Sequence, residues 1–181
     1  MLIRPARRDD APAIADIYAE AVLHGLATFE EVPPSAEELW RRALEVLDHR
    51  LPYLAAELDG RVLGYAYASP FRHRTGYRYT AEDTVYVAAD ARGRGVGCAL
   101  LTAVIDACVE RGLRQLIGVI GDSANAGSIG LHRACGFEHA GLLPAVGWKH
   151  GRWVDSVWMR RALGDAGDAP PDAPGLALSG A

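Results

Sequence analysis

The segment from Tyr79 to Gly112 constrains this chain more than any other stretch. Val85-Tyr86-Val87 is β-branched and aromatic and reads as the end of a strand. Arg92-Gly93-Arg94-Gly95-Val96-Gly97 follows, with glycine at every second position. Ala99, Leu100, Ala103, Val104, Ala107 and Cys108 then recur at helical spacing, and Gly112 stops the run as a C′ glycine does. The pattern predicts strand, glycine loop, helix. The first-turn N–H groups of such a helix lack intrahelical acceptors and carry the positive end of its dipole. Glycine lets a bulky anion approach the backbone, and Arg92 and Arg94 can clamp it, so the loop is a candidate diphosphate site. A P-loop would end in Gly-Lys-Ser/Thr, whereas this loop continues Gly97-Cys98-Ala99; the alternate glycines also break the dinucleotide fingerprint. A plain strand-to-helix turn stays open as the alternative.

Composition narrows the rest. The 181 residues suit one domain, and 50% hydrophobic content can bury a sizeable core. A net charge of −4 and a pI of about 5.8 argue against a general nucleic-acid or anionic-membrane binder. No apolar run is long enough to span a membrane, and Arg4, Arg7 and Arg8 are unlike a signal peptide, so a cytoplasmic location is expected. Cys98, Cys108 and Cys135 are odd in number and fall in helical patterns, which predicts small buried residues rather than a disulfide framework. No metal is expected: Gly136 interrupts the helix between His132, Cys135 and His139, and no ligand spacing is complete.

In chain order, Leu2-Ile3-Arg4 reads as a short strand. Asp9 or Asp10 caps a helix whose Ile14, Ile17, Tyr18, Ala21 and Val22 share a face. Gly25 to Pro34 is a loop containing Phe29, either an anchor to the core or part of a pocket. Ser35 and Glu38 form a capping box for a helix carrying Leu39, Trp40, Ala43, Leu44 and Leu47. Tyr53–Leu58 and Arg61–Ala68 form a hairpin about Asp59-Gly60. A basic, aromatic loop from Phe71 to Tyr77 leads into a strand over 78–87. Gln115–Ile120 is a further strand, Asn125 opens a helix stopped by Gly136, and 139–148 with 152–160 form a terminal hairpin about His150-Gly151. The domain covers residues 1–163. Residues 164–181 are Gly-, Ala-, Pro- and Asp-rich and are expected to be a flexible tail.

From Ile3 to Leu163 the chain resembles the GNAT N-acetyltransferases. The glycine loop is similar to their Arg-x-x-Gly-x-Gly pyrophosphate loop. Ala27-Thr28-Phe29-Glu30, Tyr79-Thr80-Ala81-Glu82, Val119-Ile120-Gly121 and Lys149-His150-Gly151 resemble the phosphinothricin and methionine sulfoximine N-acetyltransferase branch. The resemblance implies an α/β (α+β) fold, a mixed and mostly antiparallel sheet flanked by helices. It implies acetyl-CoA as co-substrate, a small amino acid or glutamate-like analogue as acceptor, and a homodimer. Trp148, Trp153 and Trp158 in the terminal hairpin offer apolar contact surface for that dimer. Protein N-terminal acetylation and a non-catalytic acyl-CoA sensor are the competing functions.

Acetyl transfer from a thioester to an amine needs a base, a stabilised oxyanion and a proton for the departing thiolate. Alternation puts Thr80, Glu82, Thr84 and Tyr86 on one strand face and Ala81, Asp83, Val85 and Val87 on the other. Spacing alone does not rank Glu82 above Asp83, because one residue of slip exchanges the faces. The resemblance selects Glu82 as base. It places the oxyanion donor at the Val87 N–H and the diphosphate on Arg92, Gly93, Arg94, Gly95, Val96 and Gly97, with Val85 and Tyr86 along the cofactor. His132 stands where many family members have a tyrosine acid, and Tyr86 is a second candidate acid. Asn125 and Ser128 are candidate cofactor contacts or simple caps. Phe29, Arg72, Arg74 and Tyr77 are candidate acceptor contacts, the arginines for a carboxylate and a phosphinyl or sulfoximine group. Lys149 and His150 face either that pocket or a partner subunit.

Overall fold

The computed structural model describes residues 1–178, in which seven strands form one sheet. They are β1 (Leu2–Pro5), β2 (Tyr53–Leu58), β3 (Arg61–Pro70), β4 (Thr80–Val87), β5 (Gln115–Gly121), β6 (Glu138–Lys149) and β7 (Arg152–Ala162). The spatial order is β1-β2-β3-β4-β5-β7-β6. Every neighbouring pair is antiparallel except β4 and β5. Parallel neighbours need a crossover, and the helix after the glycine loop supplies it.

Four helices cover the sheet: α1 (Ala11–His24), α2 (Ala36–Asp48), α3 (Val96–Glu110) and α4 (Ala126–Ala134). Adjacent residues of β3 show how the faces divide. A Cβ on Gly64 would lie 3.2 Å from Leu100 of α3, whereas Tyr65 stacks on Tyr86, which meets the ring of Tyr18 in α1 edge-on at 5.0 Å. Thus α1 and α2 lie on one face, α3 and α4 on the other. Large apolar side chains fill both layers, among them Ile14, Val22, Leu100, Leu101, Val104, Leu116 and Met159.

Local chemistry sets most boundaries. Asp59 (φ 52°) and Gly60 (φ 78°) are both left-handed, as a two-residue turn matched to the twist of β2 and β3 requires. The Ser35 hydroxyl accepts from the Glu38 N–H at 3.2 Å and caps α2. Two expectations change. Asp10 precedes α1 but makes no side-chain cap bond; Arg4 takes its carboxylate at 2.7 and 2.8 Å and holds its pKa below the ordinary range. On α2 the buried stripe is Leu39, Ala43 and Val46, while Leu44 and Leu47 face solvent.

The C-terminal segment is docked as far as residue 178. Leu176 is 3% exposed, its N–H reaches the Arg78 carbonyl at 2.7 Å, and the Tyr79 hydroxyl donates to the Ala173 carbonyl at 2.9 Å. Arg114 adds ion pairs to Asp165 and Asp172. One leucine and a row of backbone acceptors tie down a stretch whose composition suggested a free tail; residues 179–181 lie outside the described chain. The cysteines also divide differently. Cys108 and Cys135 are buried, whereas Cys98, in the first turn of α3, is exposed.

Candidate active site

The site grows out of the single parallel pair. The Ala88 N–H donates to the Leu63 carbonyl at 2.9 Å, which fixes the phase of the β3–β4 ladder. Backbone groups of residues 82, 84 and 86 therefore face β3, and those of 83, 85 and 87 face β5. The β4–β5 ladder runs only from Thr80–Gln115 to Asp83–Gly118. Past that pair the strands part, and Val85 and Val87 turn their N–H groups into the gap. On the opposite wall Gly121 does the same, because the bond from the Asp122 N–H to the Asp155 carbonyl sets the β5–β7 phase, while the Val119 N–H is spent on the last rung of the ladder, at Asp83. A gap lined by free backbone donors can polarise a carbonyl oxygen.

The glycine loop lies at the mouth of this gap. Gly93 (φ 71°) and Gly95 (φ 81°) are left-handed, and nothing lies within 4 Å of a Cβ built on either. Gly97 is confined instead, its Cβ position 3.1 Å from Leu131 of α4. The backbone is thus bare where an anion would approach the N-terminus of α3. A groove of about 950 Å³ runs from Arg92, Gly93, Gly95, Gly97 and Cys98 past Leu131 to Val85, Tyr86, Val87, Asn125 and Ser128. These residues fit a diphosphate followed by an extended arm. Arg94 and Val96 do not line the groove: Arg94 is exposed and Val96, the first residue of α3, is buried in the core. The Arg92 Nε donates to the Val87 carbonyl at 3.1 Å, which leaves the other guanidinium nitrogens for an anion.

A second cavity, of about 540 Å³, opens on the α1–α2 face and adjoins the groove at Val85, Tyr86, Asn125 and Ser128. Glu82 lies on its wall. Burial raises the Glu82 pKa and the neighbouring Asp83 adds to the rise, while Arg72 opposes it. The sheet face beside it is aromatic: Tyr53 and Tyr67 stack at 4.9 Å between ring centres, and Tyr65 stacks on Tyr86. The loop after α1 contributes Ala27, Thr28 and Glu30. The Tyr18 hydroxyl lies 2.8 Å from the Thr28 Oγ1 and donates to Glu30 at 2.9 Å; Arg42 reaches Glu30 at 2.6 Å. Burial pushes the Tyr18 phenol up to about 12 and the Tyr86 phenol higher still.

The strand phase separates the two carboxylates. Asp83 turns to the α3–α4 face, where its Oδ2 lies 3.0 Å from the His132 Nε2. Glu82 keeps the cavity. His132 is 3% exposed, and its Nδ1 lies 2.8 Å from the Ser128 carbonyl, so both ring nitrogens are engaged.

The candidate acceptor contacts are not brought together. The Phe29 ring packs where a Cβ on Gly147 would sit, 2.2 Å away, so it anchors the loop to β6 and leaves the cavity wall to its neighbours. Arg72 stacks on Phe71 and Trp158, at 4.8 and 5.9 Å from the ring centres, and reaches Glu82 only through its field. Arg74 and Tyr77 lie in the exposed turn about Thr75–Tyr77, outside the cavity; Ser69 and His73 line it. The Lys149 Nζ is buried beneath the loop after α1 and donates to the Thr28 carbonyl at 2.8 Å. The tyrosine wall was missed, although Tyr65 and Tyr67 two apart on a strand signal a shared face. Among the described residues no group of three His, Cys, Asp or Glu side chains could hold a metal ion, and no helix is long and apolar enough to cross a membrane.

Paired strands that part beside a bare glycine loop, with a carboxylate beyond the gap, define an enzyme that moves an acyl group from a CoA thioester. The chain belongs to the acetyltransferase (GNAT) family, whose model matches residues 14–137. It is an N-acetyltransferase that uses acetyl-CoA. It is 55% identical to a phosphinothricin N-acetyltransferase of Alcaligenes faecalis, over 92% of this chain and 84% of that one. It is 39% identical to an L-methionine sulfoximine/L-methionine sulfone acetyltransferase of Pseudomonas paraeruginosa, over 93% and 98%. The crystal structure of a GNAT superfamily phosphinothricin acetyltransferase from Sinorhizobium meliloti, in complex with AcCoA, superposes with a TM-score of 0.92. It is 45% identical, over 97% of this chain and 95% of that one.

Proposed function

We propose that this enzyme acetylates the α-amino group of a small, glutamate-like amino acid such as phosphinothricin, methionine sulfoximine or methionine sulfone. The observation that carries this is the junction of groove and cavity at the β4–β5 gap, with Glu82 on the acceptor side. The names of the relatives support the acceptor class. Acetyl-CoA supplies the acetyl group as a thioester. The α3 N-terminus, with Arg92, Gly93, Gly95 and Gly97, holds the diphosphate, and Asn125 and Ser128 flank the arm. Glu82 accepts the ammonium proton; its raised pKa brings it closer to the pH of the reaction than a free glutamate near 4.3. The Val87 N–H steadies the oxyanion. His132 protonates the CoA thiolate, since the Tyr86 phenol lies so far above a thiol that its proton would move uphill.

Coupled CoA-release assays test the substrate class. Phosphinothricin, methionine sulfoximine and methionine sulfone are expected to give the highest kcat/KM in a panel with natural amino acids and short peptides. A clear preference for peptides would overturn the assignment.

The enzyme works as a homodimer through the β6–β7 hairpin. β6 is a sheet edge, and Leu142, Leu143, Val146, Trp148 and Trp153 are 45 to 63% exposed along the hairpin. Trp158 is not part of this surface, because it packs against Phe71 and Arg72. Light scattering is expected to return twice the 19.4 kDa chain mass. A mass that stays monomeric, or Trp153→Glu leaving a dimer intact, would count against this interface.

A further inference from the structure

The parting of β4 from β5 is held at its apex by a buried pair. Asp83 and Gly118 are the last partners of the ladder, and His132 spans them from α4. The Cδ2–Nε2 edge of its ring lies against Gly118, where a Cβ would meet those atoms at 2.7 and 2.8 Å. Only glycine leaves room for the ring.

The hydrogen bonds count the protons. A carbonyl only accepts, so the Nδ1 at 2.8 Å from the Ser128 carbonyl must carry its hydrogen. Across the 3.0 Å between Nε2 and the Asp83 Oδ2 a single further proton is then held. It makes either an imidazolium with a carboxylate or an imidazole with a carboxylic acid. Burial raises the Asp83 pKa. Burial, the largest single influence, would lower the imidazole; the bond to Asp83, its charge and the bond to the Ser128 carbonyl together outweigh it and raise it. Both shifts act to retain the proton, and it belongs to the pair rather than to either residue. The groups facing the pair supply no competing positive charge. They are the Cys108 thiol of α3, pushed up to about 12 by burial, and the Glu82 carboxyl on the far face of β4. The Asp83 Oδ1 is buried with no hydrogen-bond partner among the described residues. Yet both residues reach the wall of the acceptor cavity, together with Asn125 and Ser128.

We propose that Asp83 is a positioning residue for acetyl transfer: through His132 it pins α4 to the apex of the gap and keeps a proton on Nε2 for the leaving sulfur. The proposal rests on His132 as the acid of the reaction described above. As the carbon–sulfur bond breaks, its electron pair goes to sulfur and the pair's proton follows. The products are the CoA thiol and a neutral imidazole beside a carboxylate, and solvent returns the proton through the gap.

Asp83→Asn separates this from a packing role. The asparagine amide can donate to Nε2 and hold the ring in place, but the pair then contains no transferable proton. The KM for acetyl-CoA is expected to stay within about twofold, while kcat falls by roughly a hundredfold, within the range of lost acid catalysis. The fall of kcat at high pH should begin at lower pH in the variant. His132→Gln should cost as much, and the double variant no more than either alone. Nitrogen-edited NMR of the free wild-type enzyme should show His132 protonated at both nitrogens, or sharing its Nε2 proton with Asp83, at neutral pH. That spectrum needs no acceptor, so it stands apart from any failure of the substrate assignment. Wild-type kcat with an unmoved pH profile in Asp83→Asn would overturn the proposal. A bare Nε2 facing an ionised Asp83 in the wild-type spectrum would do so as well.

Discussion

Glu82→Gln is expected to lower kcat by about a hundred- to ten-thousand-fold, the usual span of general-base catalysis, and to leave acetyl-CoA binding unchanged. Glutamine keeps the shape of the side chain and its place on the cavity wall but cannot take the ammonium proton. The cofactor groove lies on the other side of the gap and does not include Glu82. The pH dependence has a definite sign. Only the carboxylate is a base, so wild-type activity falls as pH drops through the Glu82 pKa. That pKa is raised, by burial first and by Asp83 second, so the fall begins at higher pH than for an exposed glutamate. The variant lacks this limb. Its residual rate should climb with pH as free amine accumulates, and steady-state rates across a pH series would show both effects. A variant with near-normal turnover at neutral pH would remove Glu82 from the mechanism.

The second large effect is expected at Gly95. Gly95→Asp should abolish measurable acetyl-CoA binding while the protein stays folded. Nothing lies within 4 Å of a Cβ at this position, so no native contact is broken. The left-handed backbone (φ 81°) costs an L-residue on the order of 1–2 kcal/mol. The carboxylate would project into the space the diphosphate needs, adding repulsion where the α3 N-terminus attracts. Gly60→Asp is the matched control, for Gly60 also has positive φ (78°) and open surroundings but lies in the β2–β3 turn. Calorimetric titration with thermal melts separates the two contributions. Equal small losses of stability with only Gly95→Asp losing acetyl-CoA is the expected outcome; retained affinity in folded Gly95→Asp would displace the diphosphate from this loop.

Much of this architecture was legible in the residues. Strand, glycine loop and helix from Thr80 to Glu110 fall where β-branching, alternate glycines and helical periodicity put them. The two-residue turn at Asp59-Gly60 and the Ser35 cap follow from chemistry confined to a few neighbours. What the sequence left open depends on distant contacts. Glu82 and Asp83 differ only in the face they take, and the register of β4 against β3 and β5 decides it. Arg72 looked like an anion contact from its charge; Trp158, far away in sequence, captures its guanidinium. Phe29 is aimed by a bare Gly147, and its neighbours face the cavity instead. Leu176 finds its place because the Arg78 carbonyl and the Tyr79 hydroxyl lie beside it, which tail composition does not record.

The ladder between β4 and β5 spans only four residue pairs, Thr80–Gln115 to Asp83–Gly118. On one side β1 to β4 form a sheet of sequence neighbours; on the other β5, β7 and β6 form a second. The molecule is therefore two half-sheets sharing a narrow seam, and the groove proposed for the co-substrate opens along the unzipped remainder of it. A thioester arm bound there, as proposed above, would reach both walls and supply a missing rung. On that reading the sheet would be most continuous with the co-substrate in place and least continuous after its release.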